Sequence, residues 1–375
     1  MIKIAIFTGT RAEYGLMRTL IKKFNYEKDF KCSLLVSSTH LNSSFGNTIE
    51  EINSDGIKIY RELPISIECS FKKEMAAQTA ETISLVSQTL EDLKPNYLLI
   101  LGDRFESFGA AVSAHILGIE IIHLHGGETS LGALDDKLRH AISQLSTLHF
   151  TSSDLHMKKV SDILGSSKGV FNVGPMVIDG LLNLKNISKQ QFQNKTGFIF
   201  SQINLLITFH PETLSEDFGI FGFQNLLESL EKCNCNVLFT APNADTGSKS
   251  ILEKIIKFVA KNEKRYFYIP SLGQELYLNA LLLFDCIVGN SSSGIIEAPL
   301  LNKKVLNIGN RQKGRYRFGH VIDVSDDHKS ISKALENILK IDKFESFQFE
   351  EFKKNNINKS PSNKIIKILR DLNSK

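Results

Sequence analysis

No stretch of this 375-residue sequence approaches the roughly 20 consecutive apolar residues that a membrane-crossing helix needs. A membrane protein is therefore not expected. Met1 leads straight into Ile-Lys-Ile-Ala-Ile-Phe, without the basic, apolar and small-residue succession of an export signal, and the expected compartment is the cytoplasm. Cysteine is scarce and odd in number: Cys32, Cys69, Cys233, Cys235 and Cys286 include no CxxC pair. That excludes a disulfide framework and a structural zinc site, and leaves ordinary reduced thiols. A dominant charge sign is also missing, since 45 basic residues face 41 acidic ones. The basic residues are dispersed apart from a Lys/Asn-rich tail, so no nucleic-acid partner is implied. A GxGxxG fingerprint is absent too, which leaves a dinucleotide cofactor without support.

What is present is a soluble globular composition, with 42% hydrophobic and 23% charged residues, on a chain long enough for two domains. Strand-length apolar runs alternate with helical patterns throughout, the signature of parallel α/β units. The first series is Ile2–Phe7, Ser33–Val36, Tyr97–Leu101, Glu120–Leu124 and Leu148–Thr151, the last closing the sheet. The pattern restarts at Asn204–Phe209 and continues through Val237–Thr240, Tyr266–Ile269, Cys286–Val288, Lys304–Ile308 and Val321–Val324. An Asn/Lys/Gln-rich stretch within 173–200 marks the boundary. The expected division is a first domain over 1–172, a second over 173–355, and a C-terminal helix over 356–375 packing back on the first. The expected fold is α/β, two Rossmann-like domains facing across a cleft.

Ligands in open parallel sheets bind outside the carboxyl ends of the strands, and the chemistry-bearing segments sit there. Gly9-Thr10-Arg11 opens a helix, where backbone N–H groups and Arg11 favour an anion. Gly102-Asp103-Arg104 offers a carboxylate that either acts at a strand end or caps the next helix, with Arg104 holding it ionised or facing phosphate. His123-Leu-His125 alternates so that both imidazoles point to one side, followed by Gly126-Gly127-Glu128, a hydrogen-bonding and acid–base cluster without metal-ligand spacing. On the helix from about Ala133, with Leu134, Leu138 and Ile142 on one face, Asp135 and Arg139 have the i,i+4 spacing of an ion pair. In the second half, Phe209-His210 ends a strand. Gly289-Asn-Ser-Ser-Ser-Gly294 then opens a helix as a phosphate-binding turn, with Glu297 one turn in to accept from ribose hydroxyls. Arg311 and Arg315 add charge, or belong to a solvated loop.

These segments together resemble the hydrolysing UDP-N-acetylglucosamine 2-epimerases of bacterial sialic acid synthesis. The matching stretches are Gly9-Thr-Arg-Ala-Glu-Tyr14, Leu101-Gly-Asp-Arg104, His123-Leu-His-Gly-Gly-Glu128, Arg139-His-Ala-Ile142, Phe209-His-Pro-Glu-Thr-Leu-Ser215, Asn243-Ala-Asp-Thr-Gly-Ser248, Gly289-Asn-Ser-Ser-Ser-Gly294 and Arg311-Gln-Lys-Gly-Arg315, in order along the chain. The resemblance implies a glycosyltransferase-B-like fold and a reaction without metal or cofactor: elimination of UDP to a 2-acetamidoglucal, then hydration to N-acetylmannosamine. It implies Asp103, Glu128, Asp135 and His210 as catalytic groups, and Arg11, Arg104, Ser291, Ser292, Glu297 and Arg311 as the residues that hold UDP. His125, Arg139 and Asn243 complete the substrate-binding set. It further implies a UDP-sugar partner and a homo-oligomer, dimer or tetramer. One extra residue before Asp135 departs from the animal enzyme and leaves open which carboxylate removes the C2 proton. The same reaction on UDP-2,4-diacetamido-2,4,6-trideoxyglucose is the alternative substrate reading. A retaining glycosyltransferase of this fold would need an acceptor site, and a non-catalytic sensor would have lost the carboxylates.

Overall fold

The computed structural model describes residues 1–42, 48–66, 72–317, 319–340 and 347–374. Two parallel sheets organise it. The first contains β1 (Ile2–Thr8), β2 (Phe30–Ser37), β3 (Ile59–Leu63), β4 (Tyr97–Leu101), β5 (Glu120–Leu124), β6 (Leu148–Thr151) and β7 (Val170–Asn172). The second contains β8 (Asn204–Thr208), β9 (Asn236–Thr240), β10 (Tyr266–Ile269), β11 (Cys286–Gly289), β12 (Lys304–Ile308) and β13 (Val321–Val324). Their orders are β3-β2-β1-β4-β5-β6-β7 and β10-β9-β8-β11-β12-β13. Each is the doubly wound arrangement, reversing direction beside its first strand, and a crevice opens at that reversal. The expected α/β class with two Rossmann-like lobes, glycosyltransferase-B-like, is what the chain adopts.

Both faces of each sheet are covered, so the central strands are apolar without alternation. Along β1, Ile4 and Ile6 enter one core while Ala5 and Phe7 enter the core on the opposite face. Along β8, Leu205 and Ile207 face one side and Leu206 the other. The sheet does not close at Leu148–Thr151, because β7 pairs outside it through His149, Phe150 and Thr151. The helix Pro361–Asn373 starts with proline at its first turn, where a missing N–H costs nothing. It places Ile365, Ile366 and Leu369 in the first sheet's core. Arg370 pairs with Asp29 and Glu27, and the buried Asp179 accepts from the backbone N–H of Ser362 at 2.9 Å.

The lobes touch at their strand ends. A side chain at Gly132, in the first lobe, would meet the carbonyl of Asn310 in the second at 1.9 Å, so only glycine permits this approach. Leu131 N–H donates to Lys313 O at 2.9 Å across the same junction. Cys32, Cys233, Cys235 and Cys286 are free thiols; Cys69 lies outside the described residues. Among the described residues no helix is long and apolar enough to cross a membrane.

Candidate active site

The turn after β1 is built by reciprocal capping. Thr10 caps the helix Arg11–Tyr26, its hydroxyl accepting from Glu13 N–H, while Glu13 accepts from Gly9 N–H at 2.7 Å and Thr10 N–H at 3.0 Å. Burial pushes the Glu13 carboxyl up to about 7 despite the nearby Arg104. Arg11 reaches into the other lobe, donating to Pro270 O and, at 2.8 Å, to Ala241 O. In this arrangement its guanidinium ties the lobes together.

At the end of β4, Arg104 rather than Asp103 occupies the N-cap position of the helix Phe105–Ile116. Arg104 is buried and forks onto Glu106 through Nε and Nη2, both at 3.1 Å; its Nη1 donates to Asp245 of the second lobe at 3.1 Å. It therefore does not hold Asp103. That carboxylate is paired instead with Arg139, which also donates to Glu128 O at 2.8 Å and to Ser130 Oγ at 3.2 Å. The expected Asp135–Arg139 pair does not form: Arg139 lies 3.8 Å from Asp136 and is committed to Asp103. Helical side chains tilt toward the N-terminus, which carries Arg139 under the 128–130 turn while Asp135, the first residue of its helix, faces the cleft. Leu134, counted in the apolar face, is 39% exposed, because it precedes the helix and donates its N–H to Thr213 of the other lobe.

The two histidines at the end of β5 diverge. His123 is fully buried, bonded to Gly102 O at 2.7 Å and Ser143 Oγ at 3.1 Å, and burial pushes it down to about 3. It is a structural residue. His125 lies beyond the strand at φ 62°, and this left-handed conformation breaks the alternation and turns its ring into the cleft. Its Nε2 accepts from Met176 N–H at 3.2 Å, and its Nδ1 lies 2.9 Å from Glu128 Oε1. Both contacts are satisfied by one neutral tautomer, with the proton on Nδ1. Glu128 also accepts from Ser152 Oγ at 3.0 Å and, across the lobes, from Arg315 at 2.5 Å. Burial alone would raise its carboxyl, but Arg315 and His125 outweigh that and hold it well below the usual range.

The second lobe contributes a turn that requires glycine. A Cβ on Gly289, at φ 130°, would strike Thr208 O, so the end of β11 can stay paired with β8 only with glycine at this position. Asn290 follows and locks His210 through both backbone groups, at 2.7 and 2.8 Å. His210 Nδ1 accepts from Asn243 N–H at 3.0 Å, and burial together with Arg311, Arg11 and Arg104 keeps the ring neutral. Its hydrogen is therefore on Nε2. Ser291 caps the helix Ser292–Leu300, and Ser293 donates to Glu297. Arg311 is 8% exposed and donates to Asn290 O at 3.2 Å. Arg315 is likewise largely buried against Glu128. The solvated-loop reading of these arginines is thus corrected, since the loop is pressed between the lobes.

Residues 22–370 match the profile of the UDP-N-acetylglucosamine 2-epimerase family. The chain belongs to that family. Among its relatives, a GDP/UDP-N,N'-diacetylbacillosamine 2-epimerase (hydrolyzing) from Campylobacter jejuni is 34% identical over 94% of this chain and 89% of its own length. A UDP-N,N'-diacetylbacillosamine 2-epimerase (hydrolyzing) from Legionella pneumophila is 33% identical over 90% and 89%. The polysialic acid biosynthesis protein P7 of Escherichia coli is 34% identical over 92% and 88%. In fold, the chain is similar to the UDP-GlcNAc 2-epimerase of Neisseria meningitidis solved with UDP-GlcNAc, with TM-score 0.75 and 18% identity over 99% of this chain and 100% of that one.

In this member of the epimerase family, two adjoining cavities in the cleft collect the candidates named from sequence, His123 excepted. Asp103, Arg104, His125, Glu128, Asp135 and Arg139 line the first; Arg11, His210 and Ser291 line the second; Asn243, Ser292, Glu297 and Arg311 line both. Several polar groups at or beside these cavities had not been singled out, Glu13, Asp245 and Gln312 among them. Glu13 closes the capping box with Thr10. Asp245 and Gln312 sit inside recognised stretches, but nothing local reveals that Asp245 meets Arg104 or that Gln312 donates to Asn290 O at 2.8 Å. Among the described residues no group of three or more His, Cys, Asp or Glu is disposed to hold a metal ion.

Proposed function

We propose that the chain is a hydrolysing 2-epimerase of a UDP-linked 2-acetamido sugar, releasing UDP and the free 2-epimer. The supporting observation is the opposition, across one cleft, of first-lobe carboxylates (Asp103, Glu128, Asp135) and second-lobe anion-binding groups: Ser291 and Ser292 at a helix start, with Arg311 beside them. The C2 proton is not adjacent to a carbonyl, so departure of the anomeric diphosphate must run ahead and build oxocarbenium character, which carboxylates stabilise. The C1–O bond to UDP breaks, a carboxylate takes the C2 proton, and a C1=C2 glucal remains. Water then adds its oxygen to C1, and a proton returns to C2 from the opposite face. His210, neutral with its hydrogen on Nε2, acts as a donor to developing negative charge rather than as a base.

The names of the relatives support the 2,4-diacetamido-2,4,6-trideoxy sugar at least as well as UDP-N-acetylglucosamine, which the sequence alone put first. Incubating the protein with each nucleotide sugar in D₂O and following products by NMR tests both. The expected result is UDP and a free 2-epimer deuterated at C2, unaffected by EDTA. Release of no UDP from either sugar, or a requirement for an added divalent ion, would reject the proposal.

A separate prediction concerns the diphosphate. Arg311→Ala is expected to weaken UDP binding by about 1.5–3 kcal/mol, the scale of a charged hydrogen bond. Unchanged UDP affinity by calorimetry would remove Arg311 from the site.

A further inference from the structure

Gln312 lines the first cavity and is 1% exposed. Its amide is used at both ends: Nε2 donates to Asn290 O at 2.8 Å, and Oε1 accepts from Arg315 Nη1 at 2.9 Å. A carbonyl only accepts and a guanidinium only donates, so this orientation of the amide is the one that satisfies both neighbours. Arg315 in turn reaches across the lobes, its Nη2 donating to Glu128 Oε2 at 2.5 Å. The buried Nε of Arg315 has no hydrogen-bond partner among the described residues, so Gln312 and Glu128 between them hold the guanidinium in its plane. Asn290 leads into Ser291 and Ser292 at the helix start, and Glu128 Oε1 lies 2.9 Å from His125 Nδ1. A continuous series of polar contacts therefore runs from the anion-binding turn of the second lobe to the His125–Glu128 pair of the first.

We infer that Gln312 is a positioning residue for the reaction: anchored on Asn290 O, it aims Arg315 at Glu128 and so sets that carboxylate relative to the diphosphate-binding turn. This rests on the proposed reaction, in which Glu128 acts on the sugar while Ser291 and Ser292 face the departing diphosphate. An amide suits the place because its two ends differ. Glutamate would set an acceptor against Asn290 O, and methionine offers neither end. Arg311 also donates to Asn290 O, at 3.2 Å, so the turn keeps a donor when Gln312 is replaced. What the replacement removes is the hold on Arg315, whose long side chain regains rotamer freedom and leaves Glu128 less firmly paired.

The test is a double-mutant cycle in the full-length protein. Tm is measured for wild type, Gln312→Met, Glu128→Gln and the two changes together. Methionine is close to glutamine in length, so Gln312→Met is expected to fold; Gln312→Leu gives the same cycle if it does not. Gln312 and Glu128 share no hydrogen bond, and unconnected sites lose stability additively. If Gln312 aims Arg315, the Tm loss caused by Glu128→Gln should shrink to about half or less in the Gln312→Met background. An equal loss in both backgrounds overturns the inference. Turnover and UDP calorimetry supply the second reading. Gln312→Met should lower kcat by about tenfold or more while UDP affinity changes by less than about threefold, since Arg311 still holds the turn. Affinity falling as far as kcat overturns the inference, because Gln312 would then serve the turn alone. The Tm cycle needs no turnover, so the two readings fail separately: a protein that hydrolyses neither sugar but shows the smaller loss forfeits the proposed reaction and keeps the link from Gln312 to Glu128.

Discussion

Glu128→Gln is expected to slow turnover by about 10²–10⁴-fold, the range for losing a positioned acid–base group, while UDP still binds. The wild-type carboxylate serves three partners at once: the Nδ1 hydrogen of His125, the Ser152 hydroxyl and the Arg315 guanidinium. An amide has one acceptor and one donor end. If its oxygen keeps His125, its NH₂ faces Arg315; if it turns, donor meets donor at His125. Either way a buried group loses its partner, and the fold should lose on the order of 3 kcal/mol. The dependence on pH has a definite sign. The Glu128 carboxyl is depressed in the folded chain from its ordinary 4.5, so its stabilisation is fully present above that value and is lost as the pH falls below it. The gap in Tm between wild type and Glu128→Gln should therefore be wide at about pH 7 and narrow at about pH 3. Near-wild-type turnover would remove Glu128 from the mechanism, and a gap independent of pH would contradict the ion pair.

Asp135→Asn should combine a comparable loss of turnover, about 10²-fold or more, with a gain in stability. Burial and the neighbouring Asp245 raise the Asp135 carboxyl from 3.8 to about 6, so ionising it costs the folded protein more than the unfolded one. The folded state is penalised progressively as pH rises from 3.8 through about 6, and fully above. An amide carries no such penalty. Asp135→Asn should consequently melt at a higher temperature than wild type at about pH 8 and show no advantage below pH 3.8. A catalytic group held in an unfavourable state commonly exchanges stability for activity in this way. A lower Tm at alkaline pH would show that Asp135 is stabilised where it stands. Full activity would shift the proton transfer to Asp103 or Glu128.

How much was legible in the sequence depended on burial. Tyr97–Leu101 and Asn204–Thr208 are buried along their whole length, so the first reads as an unbroken apolar run and the second as an apolar run between Asn204 and Thr208. The edge strand Ile59–Leu63 has Arg61 and Glu62 within it and only Leu63 buried, and Val170–Asn172 is three residues long. Neither carries a pattern distinguishable from a loop. The cleft residues were legible as a group because parallel sheets deliver their ligand groups at carboxyl ends of strands. Their partners were not. The i,i+4 rule offered Arg139 to Asp135, whereas the structure gives it to Asp103, and Arg104 reaches Asp245, 141 residues away.

The sequence by itself determined two doubly wound lobes and the family of the chain, because strand burial, helix starts and glycine-dependent turns are encoded by neighbouring residues. Tertiary structure alone decided which charges meet. The neutral ring of His210, the ionised Glu128 and the raised carboxyl of Asp135 all depend on contacts between segments far apart in the chain. Electrostatic energy depends on distance in space and on the exclusion of water, and neither quantity is written in the order of the residues.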